Sequence, residues 1–244
     1  SLNKTHQRHN CREHNCEIVP QGMHVPIKSC LMKKWKKAIT KVGCSLCILS
    51  SAIFFPDINN VSAATTISAD INTNTTWRPE GSPYIITKTI YIRTLNAGDP
   101  APTLTLTPQK TDGTYGAVVV KFYPNTSLRI GAYDTFSNWY GALDAQGTSQ
   151  YPITFTANNP PDPYTIPPNP QNYYWGNVFF NRASDYSKTK LKYCTFEYGG
   201  YYTSGTTKGN IMIENNNLFQ TASPIEHCIF RYSYSDGIVL YGSY

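Results

Sequence analysis

The chain has 244 residues, enough for one medium-sized domain with its own hydrophobic core. Its formal net charge is +6, but the basic excess lies in residues 1–64, which hold 9 Lys and Arg against 3 Asp and Glu. Residues 65–244 hold 12 residues of each sign and only two cysteines, which excludes a disulfide scaffold and gives no reason to expect nucleic-acid binding.

Residues 32–64 have the features of a secretory signal peptide. Five lysines follow Met32, a mostly apolar run covers residues 42–55, and Ala63 and Ala64 offer a cleavage site. As a helix, this run is too short to cross about 30 Å of hydrocarbon. Residues 1–31 are interpreted as upstream read-through or a disordered leader, because Met32 fits a start. We expect a mature chain from residue 65, secreted or at the cell surface, with no membrane span.

From Thr65 onward the sequence shows short apolar alternations separated by Gly, Pro and Asn instead of a helical period. Leu104 and Leu106 alternate with threonines, and Ile153 and Phe155 do the same. This period of two predicts strands with one buried and one solvent-facing side.

An internal repeat favours stacked rungs over a sandwich or a barrel. The stretch LKYCTFEY at residues 191–198 recurs as IEHCIFRY at residues 225–232, an offset of 34 residues. A second strand-like match follows each copy at an offset of 27, so strands stay constant while loops vary in length. Cys194 and Cys228 should then point inward, one above the other, as small core residues and not as a disulfide.

Three further segments extend this reading over most of residues 65–244. They are TWRPEGSPY at residues 76–84, the region 117–156 with AVVVKF and GALDAQGTSQYPITFT, and the pair Trp175-Gly176 that leads into the Cys-x-Phe repeat. These segments resemble secreted proteins of the pectate-lyase-like superfamily. The resemblance implies export and an all-β fold, a right-handed parallel β-helix (a solenoid). Because the sequence stops at Tyr244, just after a strand and without a capping element, we expect this β-helix to be incomplete at the C-terminus. The resemblance implies no activity, because this fold carries lyases, hydrolases, adhesins and passive stalks.

Catalytic chemistry has little support in the sequence, and the catalytic residues stay unknown. Common signatures such as G-x-S-x-G and H-E-x-x-H are absent, and His227, the one histidine after residue 64, is interpreted as an outward strand residue. Glu197 stands where Arg231 stands one repeat later, which favours a stacked surface ion pair over a catalytic acid. No metal or other cofactor is expected, and calcium has no carboxylate cluster in the sequence to support it. The carboxylates available to a glycosidase are Asp134, Asp162, Asp185, Glu197, Glu214, Glu226 and Asp236.

Aromatic residues in irregular loops give the stronger functional signal. Such rings can stack on sugars or anchor a partner surface, although they can also simply cover rung edges. The alternating Lys188, Lys190 and Lys192 could bind an acidic polysaccharide, but a solvated face is favoured. Three hypotheses follow in order: a protein that binds glycans or partner surfaces, a polysaccharide lyase or glycoside hydrolase, and a structural stalk. The candidate ligand-binding aromatics are Trp139, Tyr140, Tyr164, Tyr173 and Tyr174.

Overall fold

A computed structural model describes residues 63–165, 167–201, 209–214 and 224–242 of the chain, without the side chain of residue 241. Residues 1–62 of the predicted leader, which ends at residue 64, lie outside this part.

The described part is all-β, and its helical residues form two short 3-10 helices, Pro79–Gly81 and Pro170–Asn172. The strands are β1 (Thr65–Ile67), β2 (Thr75–Trp77), β3 (Tyr84–Ile86), β4 (Ile90–Ile92), β5 (Thr103–Leu106), β6 (Val118–Phe122), β7 (Leu128–Ile130), β8 (Ala132–Tyr133), β9 (Asn138–Trp139), β10 (Ala142–Gln146), β11 (Ile153–Ala157), β12 (Val178–Phe180), β13 (Lys190–Lys192), β14 (Cys194–Glu197), β15 (Gly209–Glu214), β16 (Ile225–Glu226), β17 (Ile229–Arg231) and β18 (Asp236–Tyr241).

Three large parallel sheets contain all of these strands except β8 and β9. Sheet 1 holds β2, β5, β10, β13 and β16; sheet 2 holds β1, β3, β6, β11, β14 and β17; sheet 3 holds β4, β7, β12, β15 and β18. From β2 onward the chain visits sheets 1, 2 and 3 in that order five times within the described residues, and we call each such set of three strands a rung. The arrangement is compatible with a β-helix, and it confirms the all-β, parallel part of the sequence prediction.

The core lies between the three sheets, where like residues stack in register. Phe155 pairs with Phe196, and Phe196 pairs with Phe230 on the next rung. The ring centroids are 4.6 Å and 5.3 Å apart, with nearly parallel planes. The 34-residue repeat accounts for the pair of Phe196 and Phe230. The parallel register adds Phe155 from the preceding rung, because it sets equivalent positions of successive rungs side by side.

The two cysteines occupy the predicted core positions. Both are free thiols; Cys194 is buried, and Cys228 is half-buried on the last described rung. The Cys194 Sγ lies 3.3 Å from the backbone oxygen of Ala145, and the Cys228 Sγ lies 3.5 Å from that of Leu191. Ala145 and Leu191 are themselves register partners, so both thiols make the same contact one rung apart.

His227 corrects one expectation, since it lies at a corner and not within a strand. It sits between β16 and β17 with a φ of 52°, and the equivalent Tyr193 has a φ of 47°. Both residues are in the left-handed region, which turns the chain from sheet 1 into sheet 2. Their rings stack with centroids 4.6 Å apart.

Candidate functional site

A β-hairpin of strands β8 and β9 projects from the stack at the end of the sheet 3 strand β7. The Asp134 carboxylate accepts hydrogen bonds from the backbone N–H groups of Phe136 and Ser137, both at 2.8 Å. The N–H of Asp134 in turn donates to the carbonyl of Ser137 at 3.0 Å. Asp favours such a tight turn because its short side chain can bond the backbone two residues on. Phe136 is thereby held at the hairpin tip.

Side chains from later rungs hold this hairpin in place. The Tyr133 hydroxyl donates to Glu214 Oε1 at 2.6 Å, and Glu214 is only 7% exposed. The guanidinium of Arg182 lies 3.7 Å from the Tyr133 ring centroid and donates to the backbone oxygen of Asp134 at 3.1 Å. Arg182 follows β12 and Glu214 ends β15, so the third and fourth rungs fix a hairpin that leaves the second.

The hairpin and a neighbouring loop expose several apolar side chains: Leu95, Tyr133, Phe136, Trp139 and Tyr140. The cross-strand pairs Ala132–Trp139 and Tyr133–Asn138 place the side chains of Trp139 and Tyr133 on opposite faces of the hairpin. We call the other three residues, Leu95, Phe136 and Tyr140, the hairpin patch. Phe136 is 94% exposed, Leu95 71%, Tyr140 40% and Tyr133 38%. Trp139 is half-buried. The N–H of Thr94 donates to the carbonyl of Tyr140 at 3.0 Å, which holds the Leu95 loop against the hairpin.

Sequence reasoning selected Trp139 and Tyr140 but missed Leu95. A single apolar residue in a loop carries no motif. Its position in the repeat was the signal that could have identified it. Strands β4 and β7 are neighbours in sheet 3, and the loop with Leu95 follows β4 just as the hairpin follows β7.

The three candidate tyrosines of the Pro-rich loop before β12 differ in exposure, although all three were expected to be exposed. Tyr164 is 88% exposed, whereas Tyr173 is half-buried and packs against the core. Tyr174 is only 7% exposed. These residues precede β12, at the opposite end of the sheet 3 strands from the hairpin patch.

Tyr174 is buried because the chain re-enters the core at this point. The next residue, Trp175, is fully buried, and its ring stacks on Phe122 with centroids 4.1 Å apart. The Tyr174 ring meets Tyr234 edge-on at 5.3 Å and Tyr198 at 6.4 Å. Desolvation by burial raises the pKa of the Tyr174 hydroxyl above its usual value. Tyr174 therefore has a packing role, and Tyr164 is the exposed ring of this loop.

The outer face of sheet 3 is also unusually apolar. Tyr91, Arg129, Phe179, Met212 and Val239 stand in register across its five strands, and all are half-buried. The Arg129 guanidinium lies 5.7 Å from the ring centroids of both Tyr91 and Phe179. This contact is a cation–π interaction on each side of the arginine.

The predicted ion pair between stacked rungs is confirmed. Arg231 Nε lies 2.7 Å from Glu197 Oε2, and the Thr156 hydroxyl donates to Glu197 Oε1 at 3.1 Å. Both carboxylate oxygens of Glu197 thus have structural partners. Glu214 is similarly engaged by Tyr133 and by the backbone N–H of Arg182 at 3.4 Å.

The lysines of the predicted stripe face carboxylates on sheet 1 or beside it. Lys188 Nζ lies 3.0 Å from Asp185, and Lys192 Nζ lies 3.4 Å from Glu226. Lys190 is the register partner of Asp144. This pairing favours a solvated, neutral face over a site for polyanions.

The part of the chain that the structure describes contains no group of three or more His, Cys, Asp and Glu side chains placed to hold a metal ion. None of its helices has the length and apolar character needed to span a bilayer.

Comparison with known proteins gives no relative: no family model, no curated protein and no solved structure matches the chain.

Proposed function

We propose that this protein is a secreted or cell-surface right-handed parallel β-helix that binds glycans through aromatic residues on loops leaving the coil. The repeated visits to three parallel sheets support the coil, and parallel crossover connections are right-handed in nearly all proteins. The signal-like segment at residues 32–64 supports export.

The observation that carries the proposal is the exposure of Phe136 on an anchored hairpin. Burying a phenylalanine side chain contributes about 1.5–3 kcal/mol, which this chain forgoes at a position 94% exposed. Tyr133, Asp134 and Glu214 hold the backbone of the hairpin, so a ligand meets a ring on a fixed backbone and binding orders little of the chain beyond that side chain. Exposed aromatic residues in such positions are typical of binding surfaces.

The alternatives receive less support from the same contacts. A glycosidase needs two carboxyl groups that flank a sugar bond, whereas Glu197 and Glu214 each hold structural partners. A stalk that serves only as a spacer gives no reason for an anchored hairpin with an exposed tip.

A binding assay on the exported full chain tests the proposal. The protein is incubated with immobilised plant, algal and bacterial polysaccharides, and retention is followed together with the release of reducing or unsaturated chain ends. We expect retention on at least one polymer without new chain ends. New ends would instead identify an enzyme, and retention on no polymer would refute glycan binding in favour of a protein partner or a stalk.

A further inference from the structure

We propose that the hairpin patch is a recognition site for neutral polysaccharides, with Phe136 and Tyr140 stacking on sugar rings. This inference rests on the proposed glycan binding and names both its site and its ligand class. It depends on three properties of the patch: its open ring faces, the charges around it, and its fixed geometry.

The ring faces are available to a ligand. Phe136 is 94% exposed, so its ring is open to solvent at the hairpin tip. Tyr140 is 40% exposed and carries a hydroxyl beside its ring, while Leu95 adds aliphatic surface at 71% exposure. An apolar ring next to a hydroxyl group suits a sugar, which presents C–H groups on its faces and hydroxyls at its edges.

The charges around the patch disfavour an anionic ligand. Asp134 at the hairpin tip and Asp99 in the Leu95 loop are exposed carboxylates. Of the two nearby guanidinium groups, Arg93 is paired with Asp70 at 3.2 Å. Arg182 contacts the neutral Tyr133 ring and the backbone oxygen of Asp134, so its charge offsets only one of the carboxylates. Glu214 adds a further negative charge beneath the hairpin. A uronic acid polymer would bring its carboxylates towards this negative rim, and placing like charges together is unfavourable.

The rest of residues 65–244 gives no net attraction for an anionic ligand. Residues 65–244 are neutral overall, and the lysines of sheet 1 face carboxylates. Binding by the patch therefore depends on contact area and hydrogen bonds, with little contribution from long-range electrostatic steering. For this reason we expect affinity to change little between low and high salt.

The anchoring contacts make the patch a preformed surface. The Asp134 turn fixes the tip, and the bond from Tyr133 to Glu214 fixes the base of the hairpin. A ligand consequently orders few groups on binding, which favours useful affinity from a small area.

The test compares neutral and acidic polymers with one set of variants of the full chain. The neutral probes are mixed-linkage β-glucan, galactomannan and xylan; the acidic probes are polygalacturonate, alginate and hyaluronan. We expect binding to at least one neutral polymer, insensitive to salt, and about tenfold weaker for Phe136→Ala and for Tyr140→Ala, as for an aromatic residue at the centre of a binding site. Phe136→Trp should retain binding because the ring is kept.

Tyr115→Ala is the matched control, since Tyr115 is 48% exposed on a different loop. Its affinity should stay within about twofold of the parent protein. Circular dichroism and thermal midpoints verify that all variants fold.

The outcomes separate this inference from the proposed function. Binding to acidic polymers alone, weakened by salt, would overturn the inference and leave glycan binding intact. Binding to a neutral polymer that neither Phe136→Ala nor Tyr140→Ala weakens would also overturn it, because the site would then lie elsewhere. Retention on none of the polymers, or binding of a protein through the patch instead, would remove the inference together with glycan binding.

Discussion

Tyr133 is the single side chain on which the position of the hairpin depends most directly. Its hydroxyl donates at 2.6 Å to a carboxylate on a residue that is 7% exposed. Tyr133→Phe removes that donor, so the buried Glu214 carboxylate keeps only the long hydrogen bond from the Arg182 N–H. We expect the free energy of unfolding to fall by about 1–3 kcal/mol. Urea unfolding measures this loss, and hydrogen exchange should accelerate in residues 132–139.

Tyr164→Phe is the control for this substitution, because Tyr164 is 88% exposed. It should change the free energy of unfolding by less than about 0.5 kcal/mol. If Tyr133→Phe leaves both stability and exchange in the hairpin at the parent values, the Glu214 contact does not hold the hairpin.

Tyr186 gives the chain a specific response to alkaline pH. Its hydroxyl lies 2.9 Å from the backbone oxygen of Asn181, and burial raises its pKa from 10.0 to about 12. The folded state thus favours the neutral phenol. This contribution to stability is complete below pH 10 and is lost as pH rises towards 12.

We therefore expect the free energy of unfolding to decline between pH 10 and 12, and Tyr186→Phe to reduce the steepness of that decline. Denaturant unfolding of the parent and of Tyr186→Phe at a series of pH values measures the two slopes. An identical slope for Tyr186→Phe and the parent would show that this phenol does not titrate differently in the two states.

At the scale of the elements, stability depends on the aromatic stack that joins sheet 2 strands across rungs. Phe196 is fully buried between Phe155 and Phe230. Phe196→Ala should lower the free energy of unfolding by about 3–5 kcal/mol through lost transfer energy and a cavity. Ile229→Ala on the same sheet is the comparison, since Ile229 is 54% exposed and should cost far less. Equal losses for the two substitutions in urea unfolding would contradict this assignment of the core.

The same elements show what the sequence could predict. The period of two identified the strands, and the offset of 34 set the register that places Phe230 beside Phe196 and Arg231 beside Glu197. Local patterns are enough to predict these strand positions and their register, because a parallel stack places equivalent residues of successive repeats side by side. The left-handed corners at Tyr193 and His227 escaped detection, since bulky residues seldom adopt a positive φ and no composition rule marks them.

The candidate site was predictable only in part for a related reason. Residues 132–140 depart from the pattern of regular strands, so an inserted loop with Trp139 and Tyr140 could be expected. The bond from Tyr133 to Glu214 joins residues 81 positions apart, and nothing local signals it. Tyr174 failed as an exposed candidate because its burial depends on Trp175 and on tyrosines of later rungs.

At the scale of the whole molecule, the parallel stack implies that a destabilising substitution in one strand mainly affects the strands that pair with it. Strand β14 pairs with β11 on the third rung and with β17 on the fifth, whereas the first-rung strand β3 pairs with β1 and β6. For rungs stacked in this way, stability is approximately a sum of one term for each rung and one term for each contact between neighbouring rungs. A cavity at Phe196 should therefore loosen β11, β14 and β17 and spare β3.

The hairpin is an exception to this nearest-neighbour scheme, because its contacts reach beyond the adjacent rung. It leaves the second rung and is held by Arg182 of the third rung and Glu214 of the fourth. Phe196→Ala should accordingly accelerate hydrogen exchange in β11, β14 and β17 and, to a smaller degree, in the hairpin. In a protein that also carries Tyr133→Phe, exchange in the hairpin is already faster. Phe196→Ala should then add less to it, since the Glu214 contact is lost and only the Arg182 contact remains. A uniform acceleration in all rungs, including β3, would instead mean that the stacked rungs unfold as one cooperative unit.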